Sequence, residues 1–294
     1  MTLKKFFLIL MTLFLIILAI MLFSPSFSNL IFGQYHFDLS GKVKKHSTSN
    51  IAEEENTYQL VWEDEFEGTE LDVKSWRKIE RNDAMWGRYM SSNPRLYDIS
   101  NGKIRLYCMR NTFDRSDSAQ ILTAGIETRH MRTFKYGKVE VRARLKGAQG
   151  CWPAIWTMPD NSQFEGMENT KRAEIDIMEH LNKDKYIYQT VHSHYIDIQK
   201  KEQIPQVKVD IYNNKYNTYA VEILPTKLVF SVNGKKTFVY EKQTPTPIGQ
   251  YPFGIEQYLM IDMQFGGRWV KSIRPRKLPC YMDVDWVRIY KLID

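Results

Sequence analysis

Residues 138–145, Lys-Val-Glu-Val-Arg-Ala-Arg-Leu, alternate strictly between charged and apolar side chains. Successive side chains of a β-strand point to opposite faces, so this order predicts a strand with one buried and one solvated face. A second signal lies at residues 228–240, where two β-rich runs flank Asn233-Gly234. An Asn-Gly pair tolerates the positive φ angles of a two-residue turn, so this segment predicts a β-hairpin.

The same pattern recurs along most of the chain after residue 57. Further strands are predicted over residues 104–109, 121–128, 187–194, 219–224, 258–265 and 281–290. The chain shows no long amphipathic helix after residue 24 and no internal repeat. Many short strands separated by turn residues predict an all-β protein, a sandwich of two antiparallel sheets.

The N-terminal part of the chain has a different composition. Lys4 and Lys5 precede an apolar run over residues 6–23, which is long for a signal-peptide core and short for a membrane span. Residues 1–28 are therefore expected to be a cleaved signal peptide or an N-terminal membrane anchor, and either one exports the chain to the periplasm, cell surface or medium. Residues 29–57 are polar and predict a flexible linker, and residues 58–294 suit one large domain.

The net charge bears on the partners of the chain, and the cysteine count bears on its disulfide bonds. The net charge is +7, but no lysine or arginine run resembles a nucleic-acid patch, so an ordinary basic surface is expected. No nucleic-acid partner is expected, membrane contact is expected only through the N-terminal segment, and a monomer is expected. Cys108, Cys151 and Cys280 are too few for a disulfide framework, which leaves buried thiols or one bridge.

Residues 172–180, Arg-Ala-Glu-Ile-Asp-Ile-Met-Glu-His, carry three acidic side chains in six positions between apolar ones. On a strand, Glu174 and Asp176 share a face, whereas strict alternation turns Glu179 to the other side. One extra residue near Ile177-Met178 would form a β-bulge and return Glu179 to the face of the other two.

Three carboxyls on one face of a strand suit glycosidic bond cleavage. A retaining glycosidase places two carboxyls about 5–5.5 Å apart, one as nucleophile and one as general acid and base. An acid between Glu174 and Glu179 would shift the pKa of both through like charge. Spacing alone leaves open a structural or cation-binding acidic strand.

The Glu-Ile-Asp-Ile-Met-Glu stretch resembles the bulged E-x-D-x-x-E motif of glycoside hydrolase family 16 in its laminarinase-like branch. The resemblance spans about residues 60 to 291 and includes the motifs at 61–66, 136–144, 150–156, 266–269 and 285–290. It implies a concanavalin A-like jelly roll of two curved antiparallel sheets with a concave substrate groove. It further implies that Glu174 is the nucleophile, Asp176 an assisting acid and Glu179 the general acid and base.

Several residues are candidates for sugar binding, chiefly on this resemblance. An indole ring is a natural platform for the apolar face of a sugar, although core packing is the alternative for each tryptophan. The candidate substrate-binding residues are Trp86, Trp152, Trp156, His192, Gln264 and Trp269. Asp262 and Gln264 depart from the laminarinase pattern and put the sugar specificity in doubt. A zinc site at His192 and His194 is disfavoured, because no third ligand follows at zinc-like spacing.

Many members of the family hold one structural calcium ion. The matching positions are Glu65, the carbonyl of Gly102, and Asp285, whose oxygen atoms suit a hard cation. Salt-bridged surface carboxylates are the alternative. No cofactor is expected for catalysis.

These observations predict an endo-acting glycosidase with a polysaccharide or glycan substrate. The first expectation is a laminarinase-like endo-1,3(4)-β-glucanase. The second is an endo-β-galactosidase, an O-glycanase acting on poly-N-acetyllactosamine of mucin-type glycans, and sulfated galactans are a distant third. A non-catalytic glycan-binding module is the alternative of another class, against which the full set of carboxyls argues.

Overall fold

The computed structural model describes residues 56–160, 172–201 and 205–293, which form two antiparallel sheets. The first sheet contains β1 (Thr57–Asp64), β3 (Tyr97–Ile99), β4 (Ile104–Arg110), β5 (Ile121–Thr123), β7 (Gly137–Lys146), β12 (Tyr216–Ile223), β13 (Lys227–Val232), β14 (Lys235–Glu241) and β16 (Cys280–Ile293). The second contains β2 (Arg77–Lys78), β6 (Gly125–Glu127), β8 (Cys151–Pro159), β9 (Ala173–Glu179), β10 (Tyr186–Ser193), β11 (Gln206–Asp210) and β15 (Gln257–Phe265). The predicted two-sheet sandwich is confirmed.

The strand order places long central strands between short edges. In the first sheet the order is β14–β13–β12–β7–β16–β4–β3, with β1 pairing along β16 and β5 along β4. In the second sheet it is β11–β10–β9–β8–β15–β6–β2, so β9 lies near the middle.

The strongest local predictions are confirmed. Strand β7 alternates buried and half-buried side chains up to its last residue, as residues 138–145 predict. The turn between β13 and β14 has φ values of 52° at Asn233 and 74° at Gly234. Both central residues have positive φ, as a two-residue hairpin turn requires.

The single strand predicted over residues 121–128 is wrong. The chain forms β5 beside β4 in the first sheet and then β6 beside β15 in the second, so it changes sheets at Ala124. The amide of Ala124 donates to Tyr107 and its carbonyl accepts from Met263, so neither backbone group is left unpaired at the crossing. All six strand residues are buried, and periodicity cannot show which face of which sheet a fully buried run occupies.

The main core fills the space between the two sheets. The second sheet contributes fully buried residues, among them Ile155, Ile175, Val191 and Ile261, to one cluster with the apolar face of the first sheet. Side chains on its opposite face, among them Trp156 and Met260, belong to a separate small cluster. The second sheet therefore has one face in the core and one face free for other roles.

A disulfide bond between Cys151 and Cys280 joins the two sheets, and Cys108 is a buried free thiol. The bond connects the start of β8 to the start of β16 across 129 residues of sequence. Of the outcomes left open by the sequence, the single bridge is the one found.

The predicted signal peptide or anchor at residues 1–28 lies outside the described residues, and so does the predicted linker at 29–57 except for its last two residues. Helical structure in the described part includes α1 (His194–Asp197), a single turn. Within the described ranges no helix has the length and apolar character needed to cross a membrane.

Replacing both bridged cysteines, Cys151→Ala with Cys280→Ala, should lower the free energy of unfolding by about 2–4 kcal/mol, since the bridge restricts a long loop of the unfolded chain. Both are replaced because the Cys108 sulfur lies within 4.8 Å of the two bridged sulfurs and is placed to pair with either one left alone. Urea unfolding curves measure the loss. Cys108→Ala is the control and should cost less, and three reactive thiols in the denatured, unreduced wild type would contradict the assignment.

Candidate active site

Strand β9 contains the bulge predicted from its acidic pattern. Against β8, Asp176 pairs with Trp156 and Met178 pairs with Ile155, so Ile177 is an extra residue. The pairing with β10 shifts over the same step. Consecutive residues Ile177 and Met178 are both fully buried in the main core. The bulge therefore places two successive side chains in the core, and the next residue, Glu179, lies on the opposite face.

The bulge brings all three predicted carboxyls to the face that points away from the core. Glu174, Asp176 and Glu179 lie opposite His192, Thr190 and Tyr188 of β10, which are alternate residues and so share one face of that strand. A carboxylate oxygen of Glu174, a carboxylate oxygen of Asp176 and a ring nitrogen of His192 lie within 4.8 Å of one another. The three predicted carboxyls therefore share one face of β9, and Glu179 interacts with Asp176 and Glu174 by charge.

Glu179 is buried and has hydrogen-bond partners on both oxygens. The Trp152 indole Nε1 donates to Oε1 at 3.0 Å, and the Thr190 hydroxyl lies 3.3 Å from Oε2. The Gln206 side chain donates to Thr190 at 3.0 Å. Burial, with the neighbouring Asp176 carboxylate, raises the pKa of Glu179 well above its usual value. A raised pKa suits a carboxyl to act as a general acid.

Glu174 lies at the other end of the cluster and is more accessible, with its side chain one-third exposed. Burial and the charge of Asp176 raise the pKa of Glu174 to about 8. The His192 ring opposes this shift, because Nε2 is 4.0 Å from Glu174 Oε1 and 3.4 Å from Asp176 Oδ2. The two glutamates thus differ in accessibility and in partners, as separate chemical roles require.

An aromatic wall lies beside Glu179. The Trp152 and Trp269 rings meet edge to face with centroids 5.4 Å apart, and Trp269 lies 4.8 Å from Tyr188. Trp152 and Trp269 remain partly exposed. The predicted sugar-binding role of these two tryptophans stays a prediction, and their place next to the carboxyl cluster supports it.

Trp156 is buried, although its sequence position suggested an exposed ring that could stack on a sugar. It lies on the carboxylate face of β8, but only 4% of it is exposed. Trp86 packs edge to face on it at 5.0 Å, and a cavity of about 200 Å³ opens beside the pair, lined also by Tyr258 and Met260. The ring of Trp156 therefore supports Trp86, which is the more exposed of the two.

Asp262 and Gln264 continue the same face on β15, and both are buried. The Trp156 Nε1 donates to Asp262 Oδ2 at 2.7 Å. Among the residues that the structure describes, none forms a hydrogen bond with Asp262 Oδ1 or Gln264 Oε1, and both atoms are buried. Burial raises the pKa of Asp262 to about 7 although the Trp156 indole favours its ionised form. The substrate-binding role of Gln264 stays a prediction.

A loop bearing Arg88 lies against two glycines at the end of β15. A β-carbon at Gly266 would lie 2.9 Å from Arg88 Nη2, and one at Gly267 would lie 2.6 Å from Met85 Sδ. Both glycines have positive φ, so a side chain is disfavoured at either position by strain as well as by contact. The exposed Arg88 guanidinium stacks on Tyr89 at 4.8 Å and is held near the Trp152 side of the groove.

The residues matched to the family's calcium site have other partners. The carboxylate of Glu65 is 2.7 Å from Arg288 Nη2, and the carboxylate of Asp285 is paired with Arg142. Gly102 lies close to the backbone carbonyl of Glu65. Since both carboxylates are engaged by guanidinium groups, the side chains do not fit a calcium ligand set as they stand. Calcium binding remains a prediction, and no step proposed below depends on it.

Two polar groups of the site escaped the sequence reasoning. Thr190 contacts Glu179, and its place opposite Asp176 follows from the bulge and the register of β10. Asp197 Oδ1 lies 3.1 Å from His192 Nδ1 after the chain reverses through α1. Acidic residues five positions after a histidine are common in unrelated settings, so the sequence carries no usable signal for Asp197.

Comparison with known proteins identifies the family. The family model "Glycosyl hydrolases family 16" matches residues 94–288. A keratan-sulfate endo-1,4-β-galactosidase of Sphingobacterium multivorum is 31% identical over 80% of this chain, which spans 56% of that relative's length. A β-glucanase of Rhodothermus marinus is 26% identical over 81% of this chain and 86% of its own.

Solved structures show the same fold. The laminarinase of Rhodothermus marinus has a TM-score of 0.72 at 22% identity, covering 81% of this chain and 99% of its own. A structure described with the endo-acting O-glycanases that prominent human gut bacteria use to initiate mucin breakdown has a TM-score of 0.67 at 27% identity, covering 80% and 100%. The predicted jelly roll and laminarinase-like branch are confirmed, and the chain belongs to glycosyl hydrolases family 16.

Proposed function

We propose that the chain is a retaining endo-β-glycosidase that cleaves internal bonds of a polysaccharide or glycan. The observation that carries the proposal is the bulge at Ile177, which sets Glu174, Asp176 and Glu179 on one face of one strand. Their environments differ in the direction that a nucleophile and an acid require. A glycan-binding module needs no such pair.

Each carboxyl has a defined part in a double displacement. Glu179 gives its proton to the glycosidic oxygen while Glu174 attacks the anomeric carbon, so the glycosidic bond breaks and a glycosyl ester forms. Glu179, now ionised, removes a proton from water, which attacks the anomeric carbon and releases Glu174. Trp152 and Thr190 hold Glu179 in place through both stages.

Two substrate classes are candidates. The glucanase and laminarinase relatives support a β-1,3(4)-glucan. The relative named for keratan sulfate and the O-glycanase structure support a β-galactoside glycan. Arg88 beside the groove favours the second, because a guanidinium pairs with acidic substituents, which an unsubstituted glucan lacks. Asp262 and Gln264, which depart from the laminarinase pattern, also argue for a substrate other than laminarin.

Replacing the nucleophile should remove turnover and keep the fold. For Glu174→Ala we expect kcat to fall by more than about 10³-fold, the order of loss seen when a nucleophile is removed. With azide added, Glu174→Ala should yield a glycosyl azide of inverted configuration, because azide attacks in place of the carboxylate. Glu179→Ala should yield the retained azide, because azide replaces the water of the second step. NMR of the products distinguishes the two anomers.

Glu140→Gln is the matched control, since Glu140 is paired with Lys138 on the first sheet, away from the carboxylate cluster. Its kinetics should equal those of the wild type. Full activity in Glu174→Ala, or release of an α-anomer as the first product of the wild type, would rule out the assigned roles.

The pH dependence should reflect the raised pKa values. Activity needs Glu174 ionised and Glu179 protonated, so kcat/KM should rise with pH as Glu174 loses its proton and fall only as Glu179 does. Because the pKa of Glu174 is raised to about 8, the acid limb should lie well above the 4.5 of an ordinary glutamate. A pH–rate profile measures both limbs, which belong to the coupled pair. An acid limb centred at the ordinary value would show that Glu174 is not perturbed in the working enzyme.

The substrate is decided by a panel of laminarin, barley β-glucan, keratan sulfate and mucin, with reducing ends and oligosaccharide products measured for each. Internal cleavage of keratan sulfate or mucin alone is expected if Arg88, Asp262 and Gln264 define the specificity. Cleavage of laminarin alone would overturn the galactoside candidate. Binding to any of these glycans without product from any of them would favour the non-catalytic alternative.

A further inference from the structure

Asp197 is placed against the far side of the His192 ring by a tight reversal of the chain. It is the last residue of α1, which follows β10 directly. The buried Ser193 caps this turn, accepting from the Ile196 amide at 3.3 Å. The Asp197 carboxylate returns to His192, with its two oxygens 3.1 and 3.3 Å from Nδ1.

The other ring nitrogen faces the carboxyl cluster. His192 Nε2 lies 3.4 Å from Asp176 Oδ2 and 4.0 Å from Glu174 Oε1. Asp176 Oδ2 is buried and, among the described residues, has no hydrogen-bond partner. The imidazole therefore stands between a carboxylate behind it and two carboxyls in front of it.

This arrangement favours the imidazolium. Both nitrogens must carry a proton to donate in both directions, and a doubly protonated ring is a cation. The described ionisable groups around His192 are Glu174, Asp176 and Glu179 on β9 and Asp197 on α1, while Arg172 lies 3.4 Å from Asp197. Burial opposes the charge, but the facing carboxylates of Asp176 and Asp197 outweigh it and raise the pKa of His192 to about 11.

We propose that Asp197 is a positioning residue of the hydrolytic site, which keeps His192 protonated and directs its Nε2 proton at Asp176 and Glu174. Asp197 contacts His192 on the side of the ring away from the β9 carboxyls, and its own charge also raises the pKa of Glu174. The inference rests on the proposed function for its kinetic part. The imidazolium offsets the like charges of β9 and lets Glu174 ionise as the nucleophile.

The test is Asp197→Asn in the full chain, with His192 titrated by NMR and kcat/KM followed against pH. Loss of the carboxylate should lower the pKa of His192 by about 1–3 pH units, the usual effect of one adjacent charge. The alkaline limb of kcat/KM should move to lower pH, since His192 then becomes neutral at a lower pH and no longer offsets the like charges of β9. The acid limb should also move to lower pH, because the charge of Asp197 itself raises the pKa of Glu174. Between the two limbs, where the ring is protonated in both proteins, the rates should stay close.

Two further variants separate positioning from folding. Asp197→Glu keeps the charge and should restore part of the lost alkaline range. Asp210→Asn removes one carboxylate from an exposed position of the edge strand β11 and should change neither the His192 titration nor the limb. Thermal unfolding of each variant checks that the fold is intact, and His192→Gln identifies the His192 resonance.

An unchanged His192 titration in Asp197→Asn would overturn the proposal, and so would a shifted titration with an unchanged alkaline limb. Should the wild type cleave none of the glycans, the NMR titration still shows whether Asp197 holds the ring protonated. Failure of the proposed function and failure of the His192–Asp197 couple therefore give different results.

Discussion

The bulge at Ile177 is the constraint on which the site depends. In a regular strand, Glu179 would point into the core between the sheets. Burial of its carboxylate there would be unfavourable, and Glu179 would lie on the opposite face from Glu174. The bulge satisfies both sides at once: Ile177 and Met178 enter the core together, and three carboxyls emerge on the other face. Core packing and the proposed catalytic arrangement therefore depend on the same β-bulge.

Crowding these carboxyls has a cost for stability. Because the folded pKa of Glu174 lies near 8 and the ordinary value is 4.5, the native chain holds this proton more tightly than the unfolded chain. The contribution of Glu174 to stability is therefore complete below pH 4.5 and is lost as pH rises through about 8. His192 and the Trp152 indole reduce the penalty by favouring the ionised forms of the two glutamates. The raised pKa values, which the proposed chemistry uses, are thus linked to repulsion between carboxylates, which destabilises the folded state.

Local chemistry made much of the fold and the carboxylate cluster predictable. The turn at Asn233-Gly234 and the alternation along β7 depend on neighbouring residues alone, and the acidic pattern of β9 makes sense only with a bulge. Contacts between distant segments were not accessible. Periodicity could not show that the chain changes sheets at Ala124, that Cys151 pairs with Cys280, or that Asp197 returns to His192. Burial of Trp156 depends on Trp86, which a distant loop supplies.

The bridge between Cys151 and Cys280 has a consequence beyond holding the sheets together. Cys151 is the immediate neighbour of Trp152, whose indole donates to Glu179. The residue that donates to the proposed general acid is therefore adjacent in sequence to a covalent link with the opposite sheet. In an oxidising compartment the disulfide bond links this part of the groove to the first sheet. Where the thiols stay reduced, this link is absent. The covalent support of Trp152, and through it of Glu179, therefore depends on whether Cys151 and Cys280 are oxidised.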